Sequence, residues 1–215
     1  MKERTTQHCD LFFDNHQDLI PLKASILSIC EVLLKVYQNG GKVLICGNGG
    51  SCADSDHIVG ELMKGFLLKR PLSQPIQEKF KKHYGAEGAA IAEKLQCGLP
   101  AISLNAHASL MSAFSNDVNA DLIYAQQVMG YAAKSDAVIG ISTSGNAVNV
   151  AYALMAAKVA GAVSIALTGR DGGKIGEIAD YSVIVPEIET YRIQEYHIAI
   201  YHLICAYVES ETFLC

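Results

Sequence analysis

The sequence lacks any long run of apolar residues, which limits where the protein can reside. A membrane-spanning helix needs about 20 consecutive apolar residues, and the longest apolar stretches here are interrupted by Gly, Lys, Asp or Ser well before that length. The first residues, MKERTTQHCDLFF, also lack the apolar core and the cleavage site of a secretory signal. We therefore expect a cytoplasmic protein that is neither exported nor embedded in a membrane.

The chain also lacks an excess of positive charge. Its 17 Lys and Arg residues are outnumbered by 22 Asp and Glu residues, which gives a formal net charge of -5. This balance argues against binding to nucleic acid or anionic lipid through bulk electrostatics. We expect neither partner, and any anionic ligand must be held by local contacts.

The sequence also lacks closely paired cysteines, since no Cys-x-x-Cys motif occurs. The 7 cysteines are scattered through a chain of ordinary domain size. An odd number without paired spacing is typical of reduced thiols in the cytoplasm. We expect free cysteines, most of them buried, at Cys9, Cys30, Cys46, Cys52, Cys97, Cys205 and Cys215.

What is present predicts an α/β fold. The 215 residues, 50% of them hydrophobic, suit one domain over residues 1–215. Continuous apolar runs that begin at Lys42, Pro100, Ala137, Ala162 and Tyr181 alternate with segments of helical periodicity. Such runs are typical of parallel strands buried on both faces. We predict a three-layer α/β/α sandwich with a central parallel sheet, an N-terminal helix over 18–38 and a helical insertion over 71–98.

Small-residue loops follow three of these runs. GNGGS occupies 47–51 and leads into a helix predicted over 52–68, STSGN occupies 142–146, and TGRDGG occupies 168–173. Ligands of open parallel sheets bind beyond the carboxyl ends of the strands, and helix N-termini attract anions. The loops match neither the dinucleotide fingerprint nor the nucleoside triphosphate loop. They indicate an anion site, although tight turns alone would use the same residues.

Two pairs of side chains have spacings that suit metal binding. His57 and Glu61 stand four residues apart and share one face of a predicted helix. Gln194 and His202 stand eight residues apart on the last predicted helix, a spacing that allows both to reach one site. Together they offer nitrogen and oxygen donors. A surface ion pair and ordinary core histidines remain the alternatives.

The motifs taken together resemble a known family. CGNGGSCADSDHIVGEL, SND, GISTSGNAVNV, LTGRDGGK and RIQEYHIAIYH are similar, in this order, to the sugar isomerase (SIS) domain of phosphoheptose isomerases. The resemblance implies a SIS fold of the flavodoxin or Rossmann type. It also implies isomerisation of sedoheptulose 7-phosphate to D-glycero-D-manno-heptose 7-phosphate through an enediol, for lipopolysaccharide or capsule biosynthesis.

The resemblance implies a zinc site and an acid-base pair. The metal ligands correspond to His57, Glu61, Gln194 and His202, with one zinc ion in each site. Glu61 is expected to act as the base and His202 as the acid. The family forms homotetramers with active sites between subunits, so the N-terminal helix is expected to contribute to that interface.

The resemblance also implies a set of substrate contacts. The hydroxyls of Ser142, Thr143 and Ser144 correspond to the phosphate loop, and Asn48 and Ser51 are expected near the sugar. The full set of expected substrate residues is Asn48, Gly49, Gly50, Ser51, Asn116, Asp117, Ser142, Thr143, Ser144, Asn146 and Gln194.

The chain departs from the family pattern at several positions. Ala147 stands where the family commonly has a serine, and Gly65 where it often has an arginine. These departures and the insertion keep an isomerase of another phosphosugar open. A non-catalytic SIS protein that binds a replication initiator is a further alternative, but such relatives lack the glutamate and histidine that this chain retains as Glu61 and His202.

Overall fold

Five parallel strands form the centre of the molecule in the computed structural model, which describes residues 1–213. The strands are β1 (Val43–Gly47), β2 (Ala101–Ser103), β3 (Ala137–Ser142), β4 (Val163–Thr168) and β5 (Tyr181–Ile184). Their order across the sheet is β2-β1-β3-β4-β5, and every neighbouring pair is parallel. The predicted α/β class with a central parallel sheet is confirmed.

Helices connect the strands and cover both faces of the sheet. A 3₁₀ segment at Gln17–Leu22 separates the first two helices, and a π-helical turn at Ser115–Asn119 follows the fifth. The α-helices are α1 (Glu3–Asn15), α2 (Lys23–Gln38), α3 (Gly50–Met63), α4 (Gln74–Lys94), α5 (Ala108–Phe114), α6 (Ile123–Tyr131), α7 (Val148–Ala160), α8 (Gly173–Ile178) and α9 (Thr190–Thr212).

The strands send alternate side chains into two separate cores. In β1, Val43 and Ile45 face the layer that contains α1, α2, α3 and α9, whereas Leu44 and Cys46 face α6, α7 and α8. Successive side chains of a strand point to opposite faces of its sheet. Both faces are covered here, so the strands read as continuous apolar runs rather than as alternating ones.

The N-terminal region contains more helix than the sequence predicted. The predicted helix over 18–38 is α2 preceded by a 3₁₀ turn with Pro21 inside it, and α1 lies before both. α1 is mostly polar, yet Thr5, Cys9 and Phe13 are buried at four-residue intervals and the helix packs against α9. Three buried positions on an otherwise polar helix give a weak periodic signal, and α1 was missed for that reason.

The segment predicted as a helical insertion contains α4, which is broken in the middle. Gly85 has a left-handed φ of 60° that interrupts the helix. A Cβ atom on Gly88 would lie 2.1 Å from the carbonyl oxygen of Phe80, so the two halves of α4 fold tightly against each other. The ends of the insertion meet through an antiparallel bridge between Pro71 and Gln96. The insertion is therefore a helical hairpin with a closed base.

Within residues 1–213, the structure contains no helix long and apolar enough to cross a membrane. The six cysteines in this range are free, and Cys9, Cys30, Cys46 and Cys205 are buried. Cys215, also expected to be a free thiol, lies outside the described residues.

His197 in α9 makes the stability of the fold sensitive to pH. The side chain is fully buried, and this burial lowers its pKa to about 4, whereas an unfolded histidine titrates near 6.5. Between these values the unfolded chain binds a proton that the folded chain does not, so stability falls as the pH falls. We expect His197 to cost roughly 2 kcal/mol of unfolding free energy between about pH 7 and about pH 5.

Urea unfolding of the wild type and of His197→Gln across this pH range measures the effect. The variant is expected to show a flatter dependence of unfolding free energy on pH. The same substitution at the exposed His83 is the control and should keep the wild-type slope. If His197→Gln keeps the wild-type dependence of unfolding free energy on pH, His197 is not the group responsible for it.

Candidate active site

A cleft of about 310 Å³ lies at the carboxyl ends of β1 and β3. The sheet order reverses between these two strands, and open parallel sheets bind ligands at such a switch point. The loop after β1 leads into α3 and the loop after β3 leads into α7. The residues lining the cleft are Asn48, Gly49, Gly50, Ser51, Ile141, Ser142, Thr143, Ser144, Ala147, Thr190 and Gln194.

The cleft has the composition of an anion site. Three of its hydroxyl groups come from the consecutive residues Ser142, Thr143 and Ser144. The N-termini of α3 and α7 add the positive ends of two helix dipoles. A phosphate group can be held at such a place without a lysine or an arginine.

The loop after β3 is held in place by the loop after β4. Gly145 has a φ of 69°, and a Cβ atom on it would lie 2.0 Å from the carbonyl oxygen of Gly172, so glycine is required there. Asn146 turns away from the cleft. Its side chain accepts the N–H of Lys174 at 3.2 Å and donates to the carbonyl oxygen of Ser144 at 2.9 Å. Asn146, expected among the substrate residues, thus shapes the loop that carries Ser144.

Asn48 joins the two loops that border the cleft. It donates to Asn149 at 2.8 Å and accepts from the same side chain at 3.0 Å. The hydroxyl of Tyr124 donates to the carbonyl oxygen of Gly47 at 2.8 Å. These two reciprocal amide hydrogen bonds hold the loop after β1 at a fixed distance from the first turn of α7.

Asn116 and Asp117 lie apart from this cleft within the described chain. They belong to the π-helical turn after α5, where both are exposed and Asn116 donates to Asp117 at 2.8 Å. Neither of these two predicted substrate residues lines the cleft formed by the loops of residues 47–51 and 142–146.

A second group of functional side chains lies farther along α3, where this helix contacts α9. His57 Nε2 is 3.3 Å from Glu61 Oε1, and the rings of His57 and His202 are 5.0 Å apart. Lys64 Nζ is 3.3 Å from the other carboxylate oxygen, Glu61 Oε2. Three of the four predicted metal ligands and both predicted acid-base residues are therefore neighbours.

The environment of His202 keeps its ring neutral near pH 7. Burial lowers the pKa of His202 and the nearby His57 lowers it further, whereas Glu61 opposes both effects. Its Nε2 atom is buried and has no hydrogen-bond partner among the described residues. The ring lies 5.5 Å from that of Phe66 and borders an apolar groove between α1 and α9. A buried nitrogen without a partner is available to a ligand.

Two buried residues, Tyr201 and Asp54, lie on the Nδ1 side of the His57 ring. The Tyr201 hydroxyl lies 2.9 Å from His57 Nδ1 and 3.2 Å from Asp54 Oδ1. Tyr201 is 1% exposed and Asp54 7% exposed. Burial raises the pKa of Asp54, although the hydrogen bond from Tyr201 and the charge of His57 counteract this effect. The contacts form a chain from Asp54 through Tyr201 to His57.

Gln194 belongs to the cleft rather than to this group of side chains. A Cβ atom on Gly50 would lie 2.2 Å from Gln194 Nε2, so the amide packs on the first residue of α3. His57 is about two turns farther along the same helix. The structure therefore does not bring Gln194 to His57, Glu61 and His202.

The donor types of His57, Glu61 and His202 are those that zinc binds. Two imidazole rings and one carboxylate match the three-ligand composition of catalytic zinc sites, and the unpaired Nε2 of His202 is a free donor. Within residues 1–213, no group of three or more His, Cys, Asp or Glu side chains is arranged so that it could hold a metal ion. The side chains of His57, Glu61 and His202 are thus adjacent without pointing at one common centre.

A buried ion pair fixes the end of α3 just beyond Glu61. Arg70 Nε is 2.7 Å from Glu209 Oε1, and Arg70 Nη1 donates to the carbonyl oxygen of Leu62 at 2.7 Å. Glu209 also accepts the backbone N–H groups of Phe66, Leu67 and Leu68. These N–H groups are bound by a carboxylate instead of helix carbonyls, so α3 ends at Met63 and not at residue 68 as predicted.

Comparison with known proteins identifies the family to which the chain belongs. The SIS domain family model matches residues 101–208. The phosphoheptose isomerase of Geobacter sp. (strain M21) is 38% identical over 214 residues, which cover 100% of this chain and 96% of that protein. The chain belongs to the phosphoheptose isomerase family.

Other members of the family cover nearly the whole chain. The phosphoheptose isomerase of Aneurinibacillus thermoaerophilus is 37% identical over 207 residues, covering 92% of this chain and 91% of that one. The solved phosphoheptose isomerase from Neisseria gonorrhoeae has a TM-score of 0.72 and 32% identity, and covers 97% of this chain and 98% of that chain. The resemblance found in the motifs is confirmed, and membership supports an isomerase over a non-catalytic binding protein.

The two departures from the phosphoheptose isomerase pattern occupy defined places. Ala147 lines the cleft and leaves three hydroxyls in its phosphate loop. Gly65 donates its N–H to Gln96 Oε1 at 2.6 Å, and a Cβ atom on it would lie 2.3 Å from the carbonyl oxygen of Leu68. No arginine fits there without a backbone shift, and the nearest base is Lys64, which pairs with Glu61.

The sequence analysis did not identify the residues that support His57 and Glu61. Asp54, Tyr201, Arg70 and Glu209 form hydrogen bonds between α9 and the region of α3. Glu209 gave a usable signal, because it is a charged residue directly after the apolar run LICAYV of the last helix. Tyr201 gave none, because an aromatic residue at helical spacing reads as ordinary core.

Proposed function

We propose that this chain isomerises sedoheptulose 7-phosphate to D-glycero-D-manno-heptose 7-phosphate. The observation that carries the proposal is an anion-binding cleft at the start of α3, the helix that also carries His57 and Glu61, in a member of the phosphoheptose isomerase family. The cleft suits the phosphate of a sugar phosphate. The neighbouring side chains supply the acid and base groups that an aldose-ketose exchange requires.

The phosphate end of the substrate is assigned to the loop after β3. Ser142, Thr143 and Ser144 offer hydroxyl groups, and the N-terminus of α7 offers N–H groups and a favourable dipole. Asn48 and Ser51 line the same cleft and are assigned to the sugar hydroxyls. With the phosphate held at one end, the open-chain sugar can extend along α3 towards Glu61.

The isomerisation moves protons between two adjacent carbons and their oxygens. Glu61 removes the proton next to the carbonyl and returns it to the neighbouring carbon, so that an enediol forms and collapses. Lys64 and His57 each contact one oxygen of Glu61 and hold the carboxylate in place. His202, neutral near pH 7, can donate and accept a proton at the substrate oxygens when its Nε2 is not bound to zinc.

The proposal includes one zinc ion held by His57, Glu61 and His202. When bound, zinc supplies a Lewis acid that polarises a carbonyl oxygen and stabilises negative charge on it. The mixed nitrogen and oxygen donors and the unpaired His202 Nε2 support this assignment. Gln194, which lies against Gly50, is assigned to the substrate cleft.

We further propose a cytoplasmic homotetramer that supplies heptose for lipopolysaccharide or capsule. Self-association is supported by an apolar cavity of about 410 Å³ between α1 and α9, which His202 borders together with Leu11, Phe12 and Ile198. A second copy of the chain seated there would shield His202 from water. The phosphosugar is the proposed substrate partner, and neither nucleic acid nor membrane is assigned a role.

Turnover of sedoheptulose 7-phosphate by the purified full chain tests the proposal. We expect conversion to be lost after treatment with a chelator and restored by added zinc, with the heptose product identified by NMR. Arabinose 5-phosphate and a hexosamine phosphate, offered in parallel, are expected to give far lower kcat/KM. A folded, zinc-loaded protein that converts one of these sugars and not the heptulose would contradict the proposed substrate.

A further inference from the structure

We infer that Asp54 and Tyr201 are positioning residues that set the tautomer of His57, so that its Nε2 presents a lone pair towards Glu61. Neither residue appears among the predicted site residues, and neither lines the substrate cleft. The inference relies on the proposed function only for the use made of that lone pair. The arrangement of protons follows from the contacts themselves.

The direction of the hydrogen bonds follows from what each group can donate. A carboxylate only accepts, so the contact of 3.2 Å between Tyr201 and Asp54 Oδ1 is donated by the hydroxyl. A hydroxyl has one proton, so in the contact of 2.9 Å with His57 Nδ1 it is the acceptor. His57 therefore carries its N–H at Nδ1.

A neutral imidazole has one protonated nitrogen, which leaves Nε2 of His57 as an acceptor. That atom lies 3.3 Å from Glu61 Oε1, which is also an acceptor when Glu61 is ionised. Lys64 contacts the other oxygen, Oε2, and does not lie between them. Two facing acceptors at this distance need a cation between them, which is a second proton on His57 in the metal-free protein or a zinc ion, since zinc accepts both donor types.

The hydrogen bonds of Tyr201 with Asp54 and His57 join two helices and therefore fix the orientation of the His57 ring. Asp54 and His57 belong to α3, whereas Tyr201 reaches them from α9. The Tyr201 ring also packs edge-on against the rings of His57 and His202, at 5.5 and 5.0 Å. Tyr201→Phe therefore keeps the packing and removes only the hydroxyl, and metal-ligating histidines depend on such outer partners for orientation and tautomer.

Nitrogen-15 NMR of the metal-free full chain tests the tautomer directly. We expect His57 to be protonated at Nδ1 in the wild type. In Tyr201→Phe the preference should be lost. In Asp54→Asn the new amide can either accept from the Tyr201 hydroxyl or donate to it, so the preference for the Nδ1–H form should weaken.

Zinc affinity, measured by competition with a coloured chelator, is the second readout. Both variants are expected to bind zinc about 10- to 100-fold more weakly than the wild type. Tyr207→Phe, which changes another buried tyrosine of α9, is the matched control and should keep the wild-type affinity and tautomer. A wild-type His57 protonated at Nε2 and not at Nδ1, or wild-type zinc affinity in both variants, would overturn the inference.

These readouts need no sugar and separate the inference from the proposed function. A protein with the expected tautomer and zinc affinities that does not convert sedoheptulose 7-phosphate would support the roles of Asp54 and Tyr201 and refute the substrate. A protein that converts the sugar at the wild-type rate but has the Nε2–H tautomer would refute the inference alone.

Discussion

Glu61→Gln is expected to lower kcat for sedoheptulose 7-phosphate by about 10²- to 10⁴-fold. The amide has nearly the shape of the carboxylate but cannot accept the proton that must leave the carbon next to the carbonyl. The side chain is only partly buried and makes contacts with His57 and Lys64. The substitution therefore removes the base without opening a cavity, and steady-state kinetics with the thermal unfolding midpoint separates the two effects.

Glu93→Gln, an identical change at an exposed position of α4, is the control and should retain wild-type kinetics. His202→Ala is expected to lower kcat as well, because it removes the assigned acid. A rate near that of the wild type in Glu61→Gln would contradict the assignment of Glu61 as the base, whatever the effect on KM.

Glu209→Gln is expected to lower the free energy of unfolding by about 3–5 kcal/mol. The substitution leaves Arg70 buried without a counter-charge, and both side chains are at most 1% exposed. It also weakens acceptance of the N–H groups of Phe66, Leu67 and Leu68. Arg70 donates to the carbonyl oxygen of Glu61, so kcat should fall together with stability. Urea unfolding at neutral pH measures the first effect and steady-state kinetics the second.

Lys158→Gln provides the comparison for this buried pair. Lys158 and Asp180 form an ion pair whose side chains are 46% and 39% exposed, and such pairs contribute about 0–1 kcal/mol. Equal losses from Lys158→Gln and Glu209→Gln would contradict the role given to burial. The double variant Arg70→Met, Glu209→Leu should recover part of the stability, because it removes both buried charges.

The sheet could be predicted from the sequence because its physical signal is local. Every strand is covered on both sides, so each appears as an uninterrupted apolar run such as AVIGIS, which is β3. The boundaries of α7 also have local signals, since a loop of Gly and Ser precedes it and Gly161 ends it in a left-handed conformation. α8 was interpreted as a turn, because six residues beginning GKIG are too few to show a helical period.

The two loops of the candidate site could also be predicted, because the carboxyl ends of neighbouring parallel strands must meet at one edge. The distribution of the remaining residues could not. Gln194 and His202 stand two turns apart on one helix, and only tertiary packing assigns the first to the cleft and the second to Glu61 and His57. The contact of Tyr201 with Asp54 is likewise invisible in sequence, since the two residues come from opposite ends of the chain.

The central place of α9 has a consequence for synthesis of the protein. α1, α2 and α3 all pack against this last helix, and Glu209 within it completes the surroundings of Glu61. A ribosome adds about 5–20 residues per second. The apolar faces of α1, α2 and α3 are therefore synthesised several seconds before α9, which covers them. During that time the nascent chain exposes apolar surfaces, to which chaperones bind. The surroundings of Glu61 are complete only after α9 has been synthesised.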